Sequence, residues 1–195
     1  MAINQDTKIN ISRTTDNYIM VFPGWIDPKT CKKTCSELKK VDWKLHTFYN
    51  NVDDKYQSYE KELSVFFDSV STKKFLMDRT YEAIHKYIET LQFPWFNQWK
   101  GFTEIRFNRY LPGTQMALHC DHIHSMFDGN LKGIPTLSIV GNLNDNYTGA
   151  EFEMFGEVIP LGLGDLMIFP SNFMYPHKVK EGIKGTRYSF VSWVY

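Results

Sequence analysis

The sequence predicts a mostly β protein with N-terminal helices, an α+β chain whose core is an antiparallel sandwich or barrel with the helices packed on one sheet. Three observations predict this. The hydrophobic pattern changes character once, near residue 100; before that point two segments carry helical periodicity; after it, helix signals vanish and short β-rich runs alternate with turns at a spacing of about ten residues. No repeat, low-complexity tract or linker interrupts the 195 residues, so one domain (1–195) is expected. Within it, 1–100 supplies an N-terminal strand and supporting helices, and 101–195 the β core.

Taken in order, "YIMVFPGW" (18–25) reads as a strand. Asp27 and Pro28 then form an N-cap and first-turn pair for a helix that reaches about Lys40. Cys31 and Cys35 stack on one face of that helix and are read as small buried apolar residues rather than a metal or redox pair. The polar run "NNVDDKYQSYE" (50–60) predicts a mobile loop. A second helix is expected from about Thr72 to Leu91, its apolar stripe formed by Met77, Tyr81, Ile84, Ile88 and Leu91. Trp95, Phe96 and Trp99 read as core packing rather than a substrate platform. The β-rich runs are "TEIRFNRY", "TQMALHCD", "PTLSIVGNL", "AEFEMF", "EVIPL", "DLMIFP", "HKV" and "TRYSFVSWVY", separated by Pro-Gly, Thr-Gly, Gly-x-Gly-Asp and Lys-Gly turns.

Charge removes several function classes. Lys+Arg and Asp+Glu are equal at 22 each, so no global positive field is available to hold nucleic acid. The N-terminus lacks a signal-peptide pattern, and no apolar run approaches the roughly 18 residues of a membrane span. A cytoplasmic protein is expected.

The chemistry concentrates in "LHCDHIHSMFDG" (118–129), which holds three histidines and two aspartates. On a strand, His119 and Asp121 at i and i+2 point from the same face while Cys120 points away. A third ligand would complete a facial set and leave coordination positions open, as non-haem Fe(II) oxygen chemistry requires. His46 and His85 belong to the N-terminal half and are set aside. His177, in "FPSNFMYPHKV", follows a strand that the sheet can bring across to 114–121. His122 and His124 form an H-x-H pair that could hold zinc with His119, but His122 directly follows Asp121 and so points to the opposite face. The two are expected instead to line the substrate entrance. Arg187 alone would read as a surface ion pair; ten residues after His177 it reads as a fixed guanidinium awaiting a carboxylate. Ser189, at i+2 from it, shares its face.

These residues resemble the Fe(II)- and 2-oxoglutarate-dependent oxygenases over about residues 100–195. "NRYLPGTQMALHCD" is similar to the family's Tyr-x-x-Gly approach to H-x-D, and "LNDNYTGAEFEMF" to its Leu-Asn turn and Gly-Gly-Glu strand. "GDLMIFPSNFMYPHKV" is similar to its distal-histidine segment, and "KGTRYSFVSWVY" to its 2-oxoglutarate-anchoring strand. The order resembles the prolyl-4-hydroxylase-like branch, in particular its small phage-encoded members, which would place the protein in a host cytoplasm. The resemblance implies a double-stranded β-helix of the jelly-roll, cupin-like type. It implies His119, Asp121 and His177 as iron ligands and Arg187 as the partner of the distal carboxylate of 2-oxoglutarate. Fe(II), 2-oxoglutarate and O2 would be required, with ascorbate as a supporting reductant. The reaction would hydroxylate a C–H bond of a protein, peptide or small-molecule substrate, proline foremost, and release succinate and CO2.

The tyrosine that prolyl hydroxylases usually place three residues before the H-x-D histidine is Met116 here, so the second cosubstrate contact is expected from Tyr110 or Ser189. Trp193, six residues past Arg187, is expected to face the barrel interior. Segment 122–134 is expected to be a lid or substrate loop, its glycines at 129 and 133 allowing movement, with 49–60 opposite. Two further readings stand beside this one. "NRYLPG" also resembles the nucleic-acid demethylase branch, but that branch carries a second Arg where this chain has Trp193. A non-catalytic, metal- or sugar-binding cupin-like module would have no need of Arg187.

Overall fold

The computed structural model describes residues 18–50, 53–92, 99–121 and 135–195. In chain order these form β1 (Met20–Phe22), α1 (Pro28–Leu38), β2 (Lys44–Leu45), β3 (Phe48–Asn50), β4 (Lys55–Gln57), β5 (Ser64–Phe66) and α2 (Lys73–Leu91). They continue with β6 (Arg106–Tyr110), β7 (Met116–His119), β8 (Leu137–Asn142), β9 (Thr148–Gly149), β10 (Phe152–Met154) and β11 (Glu157–Ile159). The last four are β12 (Leu166–Pro170), β13 (His177–Val179), β14 (Gly182–Lys184) and β15 (Arg187–Val194).

Both helices start and stop near their expected positions. The Asp27 carboxylate accepts from the Thr30 backbone N–H at 2.9 Å and the Thr30 hydroxyl at 2.6 Å, while Pro28 opens the first turn of α1. Thr72 precedes α2 without capping it; its hydroxyl lies 2.6 Å from that of Thr34 and ties the two helices together. The buried face of α2 overlaps the expected stripe: Ile84 is buried and Met77, Ile88 and Leu91 pack against the core, beside Leu76, Thr80, Ala83 and Tyr87, which are buried too. Tyr81 departs from it, exposed and turned into an aromatic group with His85, Trp99 and Phe102.

The major sheet has seven strands in the order β1-β12-β8-β15-β6-β5-β2, and the minor sheet four in the order β11-β10-β13-β7, with antiparallel pairing throughout. Strand alternation divides the major sheet into two faces. Phe107, Ile139, Tyr188, Phe190 and Val194 face the helices and form one core with Leu38, Leu76 and Ile84. Val65, Tyr110, Val140, Met167 and Phe169 face the minor sheet and form a second core with Phe152, Met154 and Val179. This two-sheet jelly roll with helices on one outer face is the architecture expected. β8 is buried at all six positions because both its faces are covered. Gly141 fits there beneath the Phe190 ring: a Cβ at this position would lie 2.1 Å from that ring.

The N-terminal half contributes more strands than expected. β2 and β5 extend the major sheet beside β6, and the 50–60 segment, read as a mobile loop, instead carries β4, which pairs with β3 as a hairpin. The hairpin brings the Phe48 and Tyr59 rings to 4.8 Å of each other. The turn before β12 anchors the N-terminal segment: Asp165 accepts from Gly24 N and Gly162 N, and Gly164 accepts from Ile26 N at 2.9 Å. Gly164 has φ 78°, and a Cβ there would meet the Ile26 carbonyl at 2.1 Å, so glycine is required. No helix among the described residues is long and apolar enough to cross a membrane.

Candidate active site

β13 pairs with β7 so that His177 stands opposite His119. Their rings are 4.4 Å apart between the two sheets. β7 ends at His119, so alternation alone does not place Asp121; the chain bends there, and the Ser138 hydroxyl on β8 donates to Asp121 Oδ2 at 2.6 Å. The three donor atoms of His119, Asp121 and His177 lie within 4.8 Å of one another. Asp121 Oδ1 is 3.3 Å from His119 Nε2, and its Oδ2 is 3.6 Å from His177 Nε2.

Backbone carbonyls set both imidazole tautomers. His119 Nδ1 lies 2.8 Å from Ala117 O and His177 Nδ1 lies 3.0 Å from Tyr175 O; a carbonyl can only accept, so each Nδ1 carries a proton and Nε2 is the nitrogen that each ring turns inward. The His177 ring stacks on Phe152 at 5.2 Å and meets Phe169 edge-on at 5.0 Å, which fixes its plane. Burial would by itself raise Asp121, but the His177 and His119 charges and the bonds from His119 and Ser138 hold it well below the usual carboxylate range. Burial lowers His177. It opposes protonation of His119 too, where the contact with Asp121 outweighs it and the net shift is upward. The set is two neutral-capable imidazoles and an ionised carboxylate, the donor chemistry that suits Fe(II) with positions left open.

Across the cavity, the inward faces of β6 and β15 form a ladder of Arg187, Tyr110, Ser189, Asn108, Val191, Arg106 and Trp193. Arg187 is 1% exposed. Its Nε donates to Asn142 Oδ1 at 3.0 Å, its Nη1 to Ala150 O at 3.0 Å, and its guanidinium lies 5.4 Å from the Tyr110 ring. No carboxylate lies within ion-pair distance of it among the described residues. Gly149 and Ala150, at the family's Gly-Gly position, both take left-handed backbone, φ 74° and 53°, and this aims the Ala150 carbonyl at Arg187. Tyr110 and Ser189 are buried on the cavity wall with Met116, and burial raises the Tyr110 phenol, keeping it a hydrogen-bond donor. The inner cavity opens to a mouth pocket of about 360 Å³ between β7 and the β3–β4 hairpin.

The structure therefore brings together His119, Asp121, His177, Arg187, Tyr110, Ser189 and Trp193. His122, His124, segment 122–134, Trp95 and Phe96 lie outside the described residues. Cys120, just past the end of β7, is half-buried in the wall of the mouth pocket and is not one of the clustered donors. Cys31 and Cys35 pack against the helix-side core as expected, and burial raises their thiols to about 12 and about 11. His46, set aside in the sequence, is in the mouth wall, paired with buried Glu62 at 3.0 Å. Ser138, Asn142 and Arg106 also escaped the sequence reading. Arg106 and Asn108 were readable in principle, since they sit four and two residues before Tyr110 on one strand.

Residues 105–195 match the family model of the 2OG-Fe(II) oxygenase superfamily. A comparison with curated protein sequences finds no match. Among solved structures, the fold is similar to a viral collagen prolyl hydroxylase from Paramecium Bursaria Chlorella virus-1 in its 2OG complex (TM-score 0.65, 12% identity, covering 91% of this chain and 94% of that one). It is similar to a Trichoplax adhaerens prolyl hydroxylase in complex with a hypoxia inducible factor peptide fragment (TM-score 0.67, 14% identity, 92% and 84%). It is also similar to a Pseudomonas putida prolyl-4-hydroxylase (TM-score 0.63, 17% identity, 91% and 91%). The matched segment spans the strands that carry the histidine pair, the aspartate and the buried arginine, so over residues 105–195 the chain is similar to the 2OG-Fe(II) oxygenase superfamily.

Proposed function

We propose that the protein is an Fe(II)- and 2-oxoglutarate-dependent hydroxylase acting on a C–H bond of a protein or peptide side chain, proline foremost, with release of succinate and CO2. One observation carries the reading: a fully buried guanidinium, Arg187, without an acidic partner among the described residues, faces a two-histidine, one-carboxylate set across the same cavity. A buried cation costs several kcal/mol unless an anion meets it. The distal carboxylate of 2-oxoglutarate is an anion that the site can accept there.

In this reading His119 Nε2, His177 Nε2 and the Asp121 carboxylate hold the iron, and Arg187 holds the cosubstrate, with Tyr110 and Ser189 supplying the hydroxyl contacts that Met116 cannot make. Bound iron supplies the oxygen chemistry that couples decarboxylation of 2-oxoglutarate to C–H oxidation. The chain's own residues set the geometry. Ala117 O and Tyr175 O hold the imidazole tautomers, Ser138 holds the carboxylate, Asn142 holds the Arg187 fork, and Phe152 and Phe169 keep water from the back of His177. The mouth pocket, with Phe48, Tyr56, Tyr59, Leu118 and Trp193 in its walls, suits a side chain presented on an extended peptide. One of the solved relatives was captured with a peptide. Three free cysteines fit a reducing, cytoplasmic setting.

The nucleic-acid reading is weaker, because the chain is electrically neutral and Trp193 occupies the position of that branch's second arginine. A purely metal-binding module leaves buried Arg187 without a purpose. Anaerobic addition of Fe(II) and 2-oxoglutarate should produce the weak visible metal-to-ligand charge-transfer band, and air should then yield slow uncoupled succinate. Folded protein that gives neither defeats the proposal. Arg187→Ala should lose the band at cosubstrate concentrations that saturate the unaltered protein, and a non-reacting 2-oxoglutarate analogue should allow peptides to be screened for binding.

A further inference from the structure

Arg106 has no part in the chemistry described above, yet it lies where the inner cavity meets the mouth pocket and lines both. Its Nε donates to Asn108 Oδ1 at 3.1 Å, and its guanidinium lies 5.0 Å from the Trp193 ring. Among the described residues no carboxylate comes within ion-pair distance of it. Glu62, in the same pocket wall, is already engaged with His46, and Asp121 is held by Ser138 and the two histidines. Elsewhere a partly buried arginine does meet an acid, as Arg79 meets Glu82. Beside Arg106, Trp193 Nε1 is buried without an acceptor among the described residues. The Arg106 guanidinium, with one neutral acceptor at Nε and no acid within ion-pair distance among the described residues, and the unpaired indole N–H thus stand together on one wall, and the unpaired N–H costs free energy until a ligand supplies an oxygen.

2-Oxoglutarate does not account for this. Arg106 and Tyr110 are separated by four residues on β6, and Tyr110 faces Arg187 across the β6–β15 ladder, so the two arginines start roughly 13 Å apart along the sheet. Each guanidinium also has its own partners, Arg187 in Asn142 and Ala150 and Arg106 in Asn108 and the Trp193 ring. One five-carbon diacid engaged at Arg187 does not extend to both. A dianionic phosphate is disfavoured by Glu62 and Asp121 in the same walls. A single carboxylate matches one planar fork.

Resting on the hydroxylase reading, we propose that Arg106, with the Trp193 N–H beside it, is the substrate-anion site, and that the enzyme selects substrates carrying a carboxylate close to the carbon it oxidises. The shared chemistry is a carboxylate; its source is either the terminus of the target residue or an acidic side chain next to it.

Three probes separate these sources: acetyl-L-proline, acetyl-prolyl-glutamic acid α-amide with its side-chain carboxylate free, and the neutral acetyl-L-prolinamide. Their dissociation constants are measured by calorimetry on the anaerobic Fe(II)–2-oxoglutarate complex, with the charge-transfer band reporting cosubstrate affinity in the same samples. One of the two acidic probes should bind about tenfold or more tightly than the amide, the size expected of a charge-assisted bond. Arg106→Gln should erase that preference, and Arg106→Lys should keep part of it, while the affinity for 2-oxoglutarate stays within about threefold in both variants. Acid and amide probes that bind equally, or not at all, overturn the proposal, as does an Arg106→Gln protein that loses 2-oxoglutarate as severely as Arg187→Gln. A missing charge-transfer band in the unaltered protein would overturn the hydroxylase reading itself, and this proposal with it.

Discussion

Ser138→Ala tests whether the candidate metal set depends on its supporting hydrogen bonds. The Ser138 hydroxyl is 1% exposed, donates to Asp121 Oδ2 at 2.6 Å, and lies 2.8 Å from the Ser171 hydroxyl. In the metal-free protein Asp121 is held from three sides, by His119, His177 and Ser138. Once both Nε2 atoms turn to a metal, Ser138 is the remaining described side chain that orients the carboxylate. A hydrogen bond to a charged group contributes about 1.5–3 kcal/mol. In the metal-free state the two imidazoles still hold the carboxylate and little of that is lost, so nearly all of it falls on the metal-bound state, about 1.4–2.8 kcal/mol, or ten- to a hundredfold in metal affinity. Anaerobic titration with Fe(II), or with Mn(II) as a redox-stable stand-in, measures it. Ser171→Ala should weaken binding less, because Ser171 touches Ser138 and not the carboxylate. If Ser138→Ala stays folded by circular dichroism and binds metal within about threefold of the unaltered protein, Asp121 is not oriented through this bond and the reasoning fails.

Other consequences of the geometry are open to measurement. Asn142→Asp places a carboxylate against the Arg187 Nε that Asn142 Oδ1 now accepts from, and should raise the dissociation constant for 2-oxoglutarate about tenfold or more, read from the charge-transfer titration. Gly141→Ala drives a methyl into the Phe190 ring and should destabilise by about 1–3 kcal/mol or more in denaturant melts, with loss confined to stability if the protein still folds. Asp27→Ala removes the α1 cap and should cost about 1 kcal/mol at neutral pH. The hydrogen bonds from Thr30 hold Asp27 below its ordinary 3.8, so its contribution is present above that value and disappears as pH falls through the lowered one; the gap between wild type and variant should close in acid. Burial pushes the Cys31 and Cys35 thiols to about 12 and 11, so at pH 8 the native protein should react quickly at one thiol, Cys120, and at three after denaturation.

The β core was legible in the sequence because alternation is a local signal. The strands of β6, β8, β12, β13 and β15 each fall inside a predicted run, and the same alternation carries Arg187 and Ser189 to one face of β15. The strands missed have a common cause. β2, β5 and β9 are two or three residues long and owe their extended form to a neighbour, β2 to β5, β5 to β6, and β9 to β14, so nothing within such a short window marks them. The β3–β4 hairpin is polar between its aromatic residues and reads as loop until Phe48 and Tyr59 are seen to meet.

The site divides along the same line. His119 could be assigned from its strand, but Asp121 reaches the same point for a different reason than the one that suggested it: the strand has already ended, and Ser138, seventeen residues later on another strand, holds the carboxylate in place. An H-x-D pair is therefore a necessary pattern whose geometry is completed by a residue outside the pattern. Arg187 shows the reverse. Its spacing from His177 suggested a fixed cation, and the finding that burial, Asn142 and Ala150 hold it with no acid nearby turns that suggestion into a demand for an anion. Arg106 went unread because a lone arginine on a strand is ordinarily a surface group. Only the register of β6 against β15, which sets it beside Trp193 at the mouth, makes it an inward-facing charge that a substrate can answer.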